Sequence, residues 1–66
     1  MIILREYLGG NEFINLATEE GMEHFINHVV QDEETALEMI KEIKRDKVLV
    51  INRTDAEYVE RYTVWE

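Results

Sequence analysis

Thr18 to Arg45 reads TEEGMEHFINHVVQDEETALEMIKEIKR, and the fold turns on whether this stretch is one helix or two. Met22, Phe25, Ile26, Val29 and Val30 recur at i, i+3, i+4, i+7 and i+8, the apolar stripe of an amphipathic helix. Ala36, Leu37, Met39, Ile40 and Ile43 form a second stripe. A continuous helix would span roughly 42 Å, whereas a domain of this chain length is under about 30 Å across. Asp32 and Glu33 also interrupt the apolar seam at its middle. The pattern therefore predicts two helices. A single long one, with Met22, Val29, Ala36 and Ile43 at heptad spacing, is kept for a chain that dimerises along it.

Capping chemistry marks the ends. Thr18 is the expected N-cap of the first helix, with Glu19 and Glu20 in the turn where the helix dipole favours negative charge. Asp32 is the expected N-cap of the second, which runs from about Glu33 to Arg45 and ends in Lys41, Lys44 and Arg45. Gly21 weakens the start of the first helix relative to alanine.

Before the helices, Ile2–Leu8 and Glu12–Ala17 flank Gly9-Gly10-Asn11, a loop able to supply positive φ, and predict a β-hairpin. After them, Val48–Ile51 is apolar and β-branched on both faces, which predicts an interior strand. The alternation from Glu60 to Glu66 predicts another strand. Thr54-Asp55-Ala56-Glu57 matches a capping box, so residues 55–59 read either as a helical turn or as strand. The expected fold class is α+β: a single domain over residues 1–66, in ββααββ order, with both helices on one face of an antiparallel or mixed sheet.

With 66 residues and no cysteine, neither a disulfide nor a thiolate metal site supplements a small core. Good packing or self-association must do so. No apolar run exceeds four residues, as in Met1–Leu4 and Val48–Ile51, and the start has no basic segment of the secretory type. A cytoplasmic location is the expectation, and Asn52-Arg53-Thr54 reads as a coincidental glycosylation pattern.

The formal net charge is −8 at pH 7. Between Glu6 and Ile40 there is no lysine or arginine, while Glu6, Glu12, Glu19, Glu20, Glu23, Asp32, Glu33, Glu34 and Glu38 all fall in that span. Such a field repels nucleic acid and anionic membrane and attracts basic surfaces.

Little in the chain points to catalysis. Serine and cysteine are absent, and no threonine is N-terminal. His24 and His28 stand at i and i+4, a spacing that can place two imidazoles on one metal, but Phe25 follows where a metalloprotease helix has glutamate. On a helical wheel both lie opposite the apolar stripe, as solvated surface residues. Gly9-Gly10 lacks the lysine and hydroxyl of a phosphate loop, and Asp32-Glu33-Glu34 lacks the alternation and glycine of a calcium loop. The expectation is a non-enzyme with no catalytic, metal or cofactor-binding residues.

Glu20 and Glu23 share one side of the first helix; Glu34, Glu38 and Glu42 share one side of the second. Like charges at i, i+4 cost a few tenths of a kcal/mol per pair. Surfaces tuned only for solubility interleave signs instead. The expected role is a regulator or inhibitor that uses Glu20, Glu23, Glu34 and Glu38 to dock on a basic partner protein, including the kind of surface that binds DNA or RNA. The alternative is a homo-oligomeric assembly module that uses the open sheet face and the aromatics of the last strand.

Overall fold

Tyr7 and Gly10 pair across a two-residue turn, Leu8-Gly9, in which Gly9 takes φ 93°. Positive φ at the second turn position is what a type II turn requires, and glycine supplies it without a Cβ clash. The turn joins β1 (Ile2–Tyr7) to β2 (Gly10–Asn15). The computed structural model of the chain describes residues 1–53 and 58–66.

Two helical segments follow. α1 (Glu19–His24) starts at Thr18, whose Oγ1 accepts from the Gly21 N–H at 3.0 Å. Its winding then widens into a π-helical segment, Phe25–Val30, closed by a bond from the Gln31 N–H to the Ile26 carbonyl at 2.8 Å. Gln31 sits at φ 64° in the left-handed region and ends this helical stretch. α2 (Glu33–Asp46) begins at Asp32, whose carboxylate accepts from the Thr35 N–H and hydroxyl. Lys47, at φ 68°, closes it with a bond to the Ile43 carbonyl. The chain thus divides at Gln31-Asp32 into two helices, as the interrupted seam requires.

β3 (Val48–Arg53) and β4 (Tyr58–Val64) complete an antiparallel sheet in the order β2-β1-β4-β3. Tyr58 and Val59 are therefore strand; the capping-box reading of Thr54 to Glu57 lies outside the described residues. Val48–Ile51, expected in the interior, is instead part of an edge strand. Its apolar character has a different cause. Leu49 and Ile51 turn toward the helices and pack on the core, while Val48 and Val50 turn to the opposite face.

Ile3, Ile14 and Tyr62 on the sheet, with Leu16 just past β2, meet Phe25, Ala36, Met39, Ile40 and Ile43 from the helices in one core. The Phe25 and Tyr62 rings meet edge to face at 6.0 Å, a favoured aromatic geometry. No helix among the described residues is long and apolar enough to cross a membrane.

Candidate functional site

α1, the start of the π-helical segment and the first residue of α2 bound one surface hollow. Glu19, Glu20, Glu23 and Glu33 stand around it with Asn27, and Met22 and Ile26 supply its apolar lining. None of these four carboxylates makes an ion pair among the described residues. Each helix start favours negative charge through its dipole, so the acids near both starts are locally stable there. Together, across one hollow, they repel one another, and a cationic group placed among them relieves that repulsion.

The four residues expected to carry a contact fall into two sets. Glu20 and Glu23 line the hollow. Glu34 and Glu38 do not line it; at 100° per residue they point directly away from the buried stripe of Ala36, Ile40 and Ile43. On that outer ridge the charge is mixed. Lys41 stands 3.7 Å from Glu38, and Arg45 stands 3.9 Å from Glu42, both pairs exposed. Exposed pairs of this kind contribute roughly 0–1 kcal/mol, yet they lower the local negative field. Glu19 and Glu33, not Glu34 and Glu38, join Glu20 and Glu23 around the hollow. Sequence patterning places Glu19 in the first turn of one helix and Glu33 at the start of the next and does not bring them together, because that depends on how the chain folds back at Gln31.

Beneath the helices lies a charge network that periodicity did not reveal. Arg5 donates to Glu12 at 2.8 Å and to Glu60 at 2.9 Å, and its guanidinium carbon stands 4.1 Å from the centre of the Tyr7 ring. Glu60 is only 2 % exposed. Its strand alternation explains this: Glu60, Tyr62 and Val64 share the face turned to the helices. Burial disfavours the charged form of Arg5, but hydrogen bonding with Tyr62, Glu12 and Glu60 outweighs it and holds the guanidinium above its ordinary pKa.

Glu12 also reaches His24, whose Nε2 lies 2.8 Å away. His24 is therefore half-buried against β2 rather than fully solvated, because α1 lies across that strand. His28 is exposed and stacks on His24 at 5.8 Å between ring centres. Among the described residues no group of three or more histidine, cysteine or acidic side chains is arranged to hold a metal ion. No family model, curated protein or solved structure matches this chain.

Proposed function

We propose that this protein is a non-enzymatic interaction module, a small regulator or inhibitor that docks its acidic helical face on a basic surface of a partner protein. The observation that carries this reading is the hollow ringed by Glu19, Glu20, Glu23 and Glu33, with Met22 and Ile26 between the charges. A lysine or arginine has an apolar stem and a charged head. The hollow offers both environments within one side chain's reach. Basic surfaces of that composition are abundant on proteins that bind nucleic acid, where carboxylates take the place of phosphates.

A titration with an octalysine peptide, followed by backbone amide NMR at low salt, tests the reading. Shifts concentrated on Glu19–Asn27 and Glu33, lost on raising salt to about 0.5 M, are the expected result. The variant E20K/E23K/E34K/E38K should retain the fold and lose the interaction. Shifts spread evenly around the molecule, or an undiminished interaction in the variant, overturn the acidic-face reading.

A further inference from the structure

The sheet face turned away from the helices has a composition unlike the rest of the molecule. Its central rows run Phe13–Leu4–Thr63–Val48 and Asn11–Glu6–Arg61–Val50 across the four strands. Phe13 and Trp65 are 56 % and 59 % exposed and meet edge to face at 5.0 Å, while Val50 and Val59 stand exposed on the same side. In a chain of net charge −8, the strand residues on this face carry one acid and one base, Glu6 and Arg61. They sit opposite each other on the two central strands and form no ion pair among the described residues.

We infer that this face is the interface of a symmetric homodimer, two sheets packed face to face about a two-fold axis near the centre of the β1–β4 pair. Two observations select a second copy over a foreign partner. First, an interface closed by a two-fold axis must be complementary to itself. The Glu6–Arg61 pair meets that condition, because the rotation brings Glu6 of one copy onto Arg61 of the other and the reverse. Second, the acidic hollow lies on the opposite side of the molecule, so two sheets can approach without opposing their carboxylates. Val48 and Val50 carry the apolar surface of this face out to the edge strand, so two such sheets bury it against each other.

The dimensions set the strength. Six-residue strands at about 3.3 Å per residue and four strands at about 4.8 Å give, with side chains, on the order of 500–600 Å² per copy. This lies at the lower bound of specific interfaces, roughly 1,200 Å² in total. The dimer is accordingly expected in the micromolar range. Each dimer then presents two acidic hollows facing opposite ways.

Sedimentation equilibrium from about 1 to 500 µM should show the mass rising from 7.9 kDa toward twice that value. The single tryptophan, Trp65, should shift its emission to the blue over the same range as water is excluded from it. R61E and E6R each place like charges at the axis and should raise the dissociation constant at least about tenfold, with circular dichroism reporting an intact fold. Mixed in equal amounts, R61E and E6R should recover association as a heterodimer, since one then carries two acids and the other two bases. Wild-type protein that stays monomeric at 500 µM overturns the dimer and leaves the face to a partner of different sequence. Single variants that associate as wild type does, or a mixture that fails to associate, overturn the two-fold geometry. The E20K/E23K/E34K/E38K variant should dimerise as wild type does, which keeps this test separate from that of the acidic face.

Discussion

A Cβ on Gly21 would lie 1.9 Å from the carbonyl oxygen of Asn15, and the obstacle is backbone rather than a movable side chain. Helix propensity favours alanine over glycine by up to about 1 kcal/mol, but this overlap cannot be relieved without moving the start of α1 off the end of β2. Gly21→Ala should therefore destabilise the fold by at least about 2 kcal/mol, read as a fall in the urea midpoint. A midpoint at or above that of wild type would show that helix propensity governs this position.

Arg5 and Glu60 should behave as a unit. Removing Arg5 leaves Glu60 buried without its guanidinium, at a cost of about 3–5 kcal/mol in comparable buried pairs, whereas removing Glu60 leaves Arg5 partly exposed and still bonded to Glu12. Glu12 has an alternative partner in His24 and is not stranded by the loss of Arg5. Arg5→Met should be strongly destabilising and Glu60→Leu less so, whereas the double variant should recover a large part of the Arg5→Met loss. A double-mutant cycle of chemical denaturation measures the coupling, and additive losses would show that the pair does not interact.

Asp32 gives the fold an acid-sensitive element. Hydrogen bonds from the Thr35 side chain and backbone hold its folded-state pKa below the ordinary carboxylate value. A group depressed in this way contributes stability above the unfolded-state pKa, near 4, and loses it as pH falls through the lower folded-state value. Stability should fall with acidification below about pH 4, less steeply in Asp32→Asn, which retains an N-cap acceptor without a titrating group. Thermal melts from pH 6 to pH 2.5 make the comparison; parallel curves for the two proteins would remove Asp32 as a source.

Lys47 closes α2 in the left-handed region at φ 68°, where a Cβ is unfavourable. Glycine is the preferred residue at such a position. Lys47→Gly should stabilise the protein by about 0.5–1 kcal/mol, visible as a rise in Tm, and a fall would imply that the lysine side chain contributes more than the backbone strain costs.

Local chemistry made the helices and their caps legible. Thr18 and Asp32 announce their roles by residue type and position, and Gly9 announces the hairpin. Strand order was not legible, because the pairing of Ile3 with Val64 depends on contacts between opposite ends of the chain. An apolar run such as Val48–Ile51 looks the same in a central strand and in an edge strand whose outer face is apolar. The acids were legible as a population but not as a site. Glu19 and Glu33 meet only because Gln31 reverses the chain, and a non-glycine residue in the left-handed region leaves little trace in sequence. Glu60 was the converse case: its alternation with Tyr62 and Val64 carries the signal of burial, which its charge obscures.

The β2-β1-β4-β3 order places the first and last strands side by side in the middle of the sheet, with the Ile2 N–H donating to the Glu66 carbonyl at 2.6 Å. Each outer hairpin is local and able to form early, but the seam between them joins residues more than fifty positions apart. Closing such a seam carries the full loop-closure entropy of the intervening chain. On the ribosome, therefore, β1 keeps an unsatisfied inner edge until β4 has left the exit tunnel. The sheet is completed only after the last of these residues has been synthesised.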